Sequence, residues 1–251
     1  MVRPLIFIPT YNERGNVEVI CADILKQGVE CDILFMDDAS PDGTGEILDG
    51  LARRHPNVQV IHRPRKAGIG SAHQAGIRWA YDHGYHVLIT MDSDQTHPPQ
   101  YLPDFLEASQ SGQIIVGSRH LREDSLKDWA LQRLILTHIS YALTSFLLRM
   151  PHDATTAYRL YKLDQIPRQI FDLVQSKSYP FFFESLCILQ ANGMTIKDVP
   201  ITLPARTLGN SKMLPRDVAC GAWRLFCLCV LQVLAPERLR LAAPAVSAQI
   251  R

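Results

Sequence analysis

Apolar and amphipathic stretches alternate through the first half of the chain. LIFIPT (5–10) is a short apolar run, residues from about Asn16 to Lys26 have helical spacing, and CDILFMDD (31–38) is a second run ending in two carboxylates. TGEILDGLARR (44–54) is amphipathic, VQVIHR (58–63) forms a third run, and a helix is expected from about Gly70 to His83. HVLITMDSD (86–94) is again apolar and again ends in acids, while IIVGSR (114–119) ends in Arg119. This alternation predicts an α/β fold, with a mostly parallel central sheet and crossover helices on its faces. In such open sheets ligands bind outside the carboxyl ends of the strands, so both acid-tipped runs aim carboxylates at one crevice.

The second half has a different character. Residues 126–150 read as one long helix with a narrow polar stripe of Arg133, Thr137, Ser140 and Thr144. A second apolar helix is expected over roughly Arg216 to Ala235. Its most apolar part, residues 218–235, contains Arg224 and Gln232. A spanning helix needs about 20 predominantly apolar residues, and a central arginine costs roughly 2.5–3.5 kcal/mol on insertion. Asp217, Gly221, Arg224 and Gln232 fall near one stripe, with Ala222, Trp223, Phe226, Val230 and Leu234 away from it. That pattern suits an amphipathic helix lying in the plane of a membrane surface, or a helix packed on the sheet. No repeat or linker divides the chain. The expected organisation is one domain over 1–215, an interfacial or packing helix over 216–236 and a flexible tail over 237–251.

Composition narrows the class. With 251 residues, 47% of them hydrophobic and 20% charged, the chain can bury a core without disulfides or structural metal. A net charge of +1 leaves no global basic field to hold nucleic acid. The six cysteines show no metal-finger spacing and read as free thiols of a reducing compartment. MVRPLIFIPTYNE reads as a first strand rather than a signal peptide.

Three turns carry candidate chemistry. In MDSDQTHPP (91–99), Asp92 and Asp94 offer hard oxygen ligands at a spacing that suits Mg²⁺ or Mn²⁺, or they simply cap a turn. In PTYNE (9–13), Tyr11 can lie against a planar ring while Asn12 and Glu13 offer polar edges; an ordinary capped turn is the alternative. In FMDDASPDGT (35–44), a carboxylate can accept from a base or ribose, or cap the next helix.

In combination, PTYNE, DDASPDGT, KAGIGSAHQAG (66–76), MDSDQTHPP and VGSR (116–119) resemble the family 2 glycosyltransferases in order and spacing. DATTAYRLYK (153–162), FFFESLCILQANGMTIKDVPITLPAR (181–206) and GNSK (209–212) resemble the dolichol-phosphate mannose synthase and polyprenyl-phosphate glycosyltransferase branch. The resemblance implies a GT-A fold over 1–215 and transfer of a hexose, with inversion, to the phosphate of a polyprenyl or dolichyl phosphate. GDP-mannose is the first-choice donor. The alternatives are a UDP-sugar such as UDP-glucose, a different acceptor, or a non-catalytic nucleotide-sugar-binding module.

The same resemblance assigns Pro9, Tyr11 and Glu13 to donor contacts, with Met36 and Asp38 beside the base. It assigns Asp92 and Asp94 to a Mg²⁺ or Mn²⁺ ion on the diphosphate, Ser93 to a backbone contact, and Arg119, Arg206 and Lys212 to phosphate charge. Asp94, Arg119, Arg206 and Lys212 are the implied catalytic set. Thr96 stands where many relatives have glutamine and is the expected third metal ligand. Gly68 and Gly70 are expected to permit close packing of helix on strand beneath the nucleotide. HLREDSLKD (120–128) replaces a glycine-rich stretch common in the branch, and the paired transmembrane helices of many relatives are missing. The implied setting is peripheral, on the cytoplasmic face of a membrane, with a small membrane-anchoring subunit as a possible partner.

Overall fold

A computed structural model describes residues 3–126, 129, 131–204 and 215–242. In chain order its elements are β1 (Leu5–Thr10), α1 (Val17–Leu25), β2 (Asp32–Asp37), α2 (Thr44–Arg54), β3 (Val58–His62), α3 (Ile69–Asp82), β4 (Val87–Thr90) and α4 (Leu102–Ala108). There follow β5 (Ile114–Ser118), α5 (Leu131–Leu147), β6 (Arg159–Lys162), α6 (Gln169–Asp172), α7 (Phe181–Ala191), β7 (Ile196–Pro200) and α8 (Pro215–Leu234). The strands form one sheet in the order β3-β2-β1-β4-β6-β5-β7. Only β6 runs against its neighbours, pairing antiparallel with both β4 and β5.

β1 is apolar at every position but its last because helices cover both faces of the sheet. Leu5 and Phe7 point to one side, against α3 and α7, while Ile6 and Ile8 point to the other, among α1, α2 and α4. The chain winds from β1 outward to β2 and β3, then returns to place β4 on the other side of β1. This reversal makes the carboxyl ends of β1 and β4 diverge, which opens the crevice the sequence called for.

Two expectations change. The long helix over 126–150 is α5, Leu131–Leu147. Before it, Ser125 and Trp129 are engaged elsewhere: the Ser125 hydroxyl donates to the Ile201 carbonyl at 2.7 Å and the Trp129 ring N–H to the Leu203 carbonyl at 3.0 Å. After it, Arg149 takes the left-handed conformation, φ 51°, which ends the helix. The expected loose tail does not begin at 237: Leu239 is buried, and Asn192 at the end of α7 bonds the Leu239 carbonyl and the Leu241 N–H, each at 2.8 Å. Residues 243–251 lie outside the described residues. The cysteines are unpaired, and burial pushes the Cys21 and Cys31 thiols up to about 11, so they behave as small apolar groups.

Candidate active site

A cleft of about 460 Å³ lies at the carboxyl ends of β1, β2 and β4. Its near wall carries Pro9, Tyr11, Glu13 and Asp38, and Asp92, Ser93 and Asp94 line it beside them. The loop and helix starts at 66–72, 178–182 and 216–217 complete it. Most of the sequence-predicted donor residues therefore meet in one place. Met36 is buried inside β2 and forms core rather than lining.

Each of these three strands leaves the sheet through a residue with positive φ: Asn12 (57°) after β1, Ala39 (54°) after β2 and Gln95 (64°) after β4. Non-glycine residues held this way cost of order 1–3 kcal/mol and cluster at functional sites. Here each turn is held by side-chain bonds. Asp37 accepts from the Thr10 hydroxyl at 3.0 Å and the Ser40 N–H at 2.9 Å, and Ser40 Oγ accepts the Asn12 N–H at 2.9 Å. Asp37 is thus the buried post that ties the exits of β1 and β2 together.

Asp38 beside it faces the cleft. It accepts the Ala67 N–H at 3.1 Å and sits 3.0 Å from Arg63 Nη1, without an aligned hydrogen bond between them. Burial pushes its carboxyl above the usual range and outweighs Ala67 and Arg63, which pull the other way. Lys66 lies over the Tyr11 ring, 4.0 Å from its centroid. Arg63 and Lys66 had no signal in the apolar pattern, since they sit with Arg65 in a short basic turn segment, and only Lys66 belongs to the 66–76 motif.

The turn after β4 is organised around Asp94 and His97. Asp94 is buried, and its Oδ1 accepts both the Thr96 N–H at 3.1 Å and the Thr96 hydroxyl at 2.6 Å. Thr96 therefore supports the Asp94 carboxylate, a different job from the ligand role expected of it. His97 Nδ1 accepts the Asp92 N–H at 2.9 Å. Burial drives the His97 ring down to about 4, with Asp94 opposing, so it is neutral near pH 7. Its 3.7 Å approach to the Asp92 carboxylate is for that reason no ion pair.

Asp92 and Asp94 offer hard oxygens to a divalent cation. No group of three or more His, Cys, Asp or Glu side chains that could hold a metal ion is gathered among the described residues. Two carboxylates fit a cation such as Mg²⁺ or Mn²⁺ that keeps water and takes substrate phosphate oxygens as its other ligands.

Arg119 does not line the cleft. Its guanidinium is bidentate to the buried Asp153, at 2.6 and 3.0 Å, and also donates to Thr155. Burial works to raise the Asp153 carboxyl, but the charge and hydrogen bonds of Arg119 outweigh it and hold it below the ordinary range. The charge expected to meet phosphate is balanced inside the protein, so Arg119 fixes the exit of β5 instead. Arg206 and Lys212 lie outside the described residues.

The glycyl fit is tight. Gly68 has φ 95°, and a Cβ there would lie 2.4 Å from the Lys177 carbonyl oxygen; at Gly70 it would lie 2.6 Å from Phe181 Cβ. Close packing is the reason for these glycines, but the partner is the segment leading into α7 rather than a strand.

The glycosyl transferase family 2 pattern matches residues 5–170, which include the three strand exits and both metal-type acids. The chain belongs to glycosyl transferase family 2. Over 214 residues it is 39% identical to a polyprenol monophosphomannose synthase of Mycolicibacterium smegmatis, covering 84% of this chain and 81% of that one. Over 213 residues it is 37% identical to an undecaprenyl-phosphate mannosyltransferase of Micrococcus luteus, covering 84% and 88%. The GT-A fold is shared with a glucosyl-3-phosphoglycerate synthase of Mycobacterium tuberculosis solved with Mn²⁺, UDP-glucose and phosphoglyceric acid. The TM-score is 0.64 at 14% identity, over 95% of this chain and 80% of that one.

The family match does not reach α8, whose packing is distinctive. Arg224 and Gln232 turn inward: Arg224 Nη2 meets Glu184 of α7 at 2.6 Å, and Gln232 Nε2 donates to the Leu148 carbonyl at 3.3 Å. Trp223, Phe226, Val230, Val233 and Leu234 face outward and are exposed. α5, which touches α8, likewise exposes Ile135, Leu136, Ile139, Leu143 and Phe146.

Proposed function

We propose that this chain transfers mannose from GDP-mannose to the phosphate of a polyprenyl phosphate, with inversion, while bound to the cytoplasmic surface of a membrane. The observation that carries the reading is a single cleft with Asp92 and Asp94 on one side and the start of α8 on the other. The paired acids and the helix with an exposed apolar face thus share one cavity. The 39% identity to a polyprenol monophosphomannose synthase supports the choice of sugar and acceptor.

In this reading the base lies near Pro9, Tyr11 and Asp38, and the diphosphate points toward Asp92 and Asp94. Asp92 and Asp94 would hold a divalent cation, whose positive charge would favour departure of the nucleoside diphosphate. An acceptor phosphate oxygen attacks the anomeric carbon from the face opposite the leaving group. The new carbon–oxygen bond forms as the bond to the diphosphate breaks, and GDP leaves with that electron pair. The attacking oxygen is already ionised near neutral pH, so no strong general base is required. The protein's task is orientation and charge balance. Thr96 aims Asp94, neutral His97 holds the turn through the Asp92 N–H, and Arg206 and Lys212 are assigned to the phosphates of donor and acceptor.

α8 has the length and hydropathy to cross a bilayer, with a mean hydropathy of 1.6 and little of it buried against the protein. We read it as lying in the interface. Spanning would strip Arg224 from Glu184, and breaking a buried pair costs about 3–5 kcal/mol. Carbonate washing of native membranes should therefore release the protein; retention would show a spanning segment or a membrane-anchoring subunit. The function itself is tested by a donor screen with undecaprenyl phosphate. Labelled mannose from GDP-mannose should enter the organic phase in a cation-dependent way, and product from UDP-glucose alone would refute the assignment.

A further inference from the structure

The side chain of Glu184 is 0% exposed and takes three donors. Its Oε1 accepts the Gln175 N–H at 2.7 Å and Arg224 Nη2 at 2.6 Å, and its Oε2 accepts the Ser176 N–H at 3.1 Å. One carboxylate thus joins α7, α8 and the segment before α7. That segment is the one pressed on the cleft: the Lys177 carbonyl accepts the Ser71 N–H at 3.0 Å, and Gln74 Nε2 donates to the Val174 carbonyl at 2.9 Å. Lys177 also abuts Gly68, while Gly68, Ile69, Ser178 and Tyr179 line the cleft itself. From Arg224 to the cleft wall there is an unbroken chain of hydrogen bonds and backbone contacts.

A buried ion pair gives little net stability, and apolar replacement is often neutral or better; its best-attested use is to fix one arrangement. Arg224 fits such a use because its guanidinium is mostly buried and meets Glu184 through Nη2, while its Nε is buried without a hydrogen-bond partner. Removing the guanidinium would leave the Glu184 charge uncompensated behind residues 175–178, and the cleft wall would give way with them.

We propose that Arg224 and Glu184 are a positioning pair: the seat of α8 on α7 sets the wall of the cleft and so its affinity for a nucleoside diphosphate. The identity of that ligand rests on the function proposed above. Since α8 also carries the outward apolar face, whatever seats the helix and whatever fills the cleft favour each other by the same factor.

The test is titration of the full chain with GDP in the presence of Mn²⁺, with donor kinetics alongside. Arg224→Met should raise the GDP Kd and the donor KM together, about tenfold, with kcat changed by less than about threefold. Its circular dichroism should match the wild type. Arg224→Lys should restore the Kd to within about threefold, and Glu184→Gln combined with Arg224→Met should be no worse than Arg224→Met alone. A folded Arg224→Met protein with wild-type GDP affinity, or one that loses kcat with KM unchanged, overturns the proposal. Should Arg224→Met fail to fold, Glu184→Gln carries the test, and wild-type affinity in that variant overturns it equally. No GDP binding by the wild type would refute the reading of the cleft itself; binding unshifted by the variants would refute this inference alone.

Discussion

The cleft and the outer face of α5 and α8 are built with opposite polarity. In the cleft, carboxylates at strand ends face a cavity and apolar residues stand behind them: Asp92 and Asp94 line it while Met91 and Ile89 are buried in the sheet. On α8 the order is reversed, with Arg224 and Gln232 turned toward α7 and Trp223 and Phe226 turned away from the protein. Charge faces the cavity where a phosphorylated donor is to be met, and faces inward on α8, whose proposed role is to meet a membrane surface. A soluble packing helix would bury its apolar stripe instead. The difference is what joins a water-soluble donor to a lipid acceptor on one small domain.

The comparison is broken most severely at the acids. Asp94→Ala should lower mannosyl transfer about a thousandfold or more, on the order of 4 kcal/mol. Asp94→Asn should fail as well, since it keeps the shape but not the charge. Rate measurements with and without excess chelator check this, and full turnover in chelator would contradict it. On the other side, Trp223→Glu with Phe226→Glu should weaken vesicle binding by roughly a hundredfold, taking about 1.5 kcal/mol for each buried aromatic. Both residues are more than half exposed, at 67% and 58%, so Tm should stay unchanged while sedimentation with vesicles is lost.

Smaller effects sharpen the account. Gly70→Ala places a Cβ 2.7 Å from the Ser178 carbonyl oxygen, which backbone cannot easily vacate, and should cost about 1–3 kcal/mol in denaturant unfolding. His73 sits beneath the cleft among Phe7, Phe181 and Phe182, and burial lowers its pKa from 6.5 to about 3. Because the folded value is depressed, the unfolded chain takes up the proton first, and stability falls as pH drops from 6.5 toward 3. The slope from this residue is about 1.4 kcal/mol per pH unit. His73→Phe should flatten the pH dependence of unfolding over that range, and an unchanged slope would contradict the burial argument.

The parallel half of the sheet was legible because β1, β2 and β4 are buried on both faces and read as continuous apolar runs, those of β2 and β4 leading into acids. In the other half β5 was legible as the run at 114–119, whereas β6 and β7 were not. β6 begins with Arg159, which reads as a surface residue but is fully buried, its two terminal nitrogens bonded to the Ala154 and Phe182 carbonyls and to Ser185 while its Nε has no hydrogen-bond partner. α7 is apolar nearly all round, so it carries no period. Leu126 and Trp129 sit at helical spacing ahead of α5 yet belong to a loop tied to residues 201–203. At the site, the paired acids were visible, whereas the balance of Arg119 by Asp153 joins residues 34 positions apart and has no local signal.

The most direct test of the account presents one acceptor chemistry in two settings to the Trp223→Glu, Phe226→Glu protein. Transfer from GDP-mannose is measured to undecaprenyl phosphate in vesicles and to a short, water-soluble isoprenyl phosphate. The account predicts that the variant keeps GDP binding and transfer to the soluble acceptor but loses transfer to the vesicle-borne one. Equal loss with both acceptors, or full activity with both, would contradict the division of labour between the cleft and the outer face.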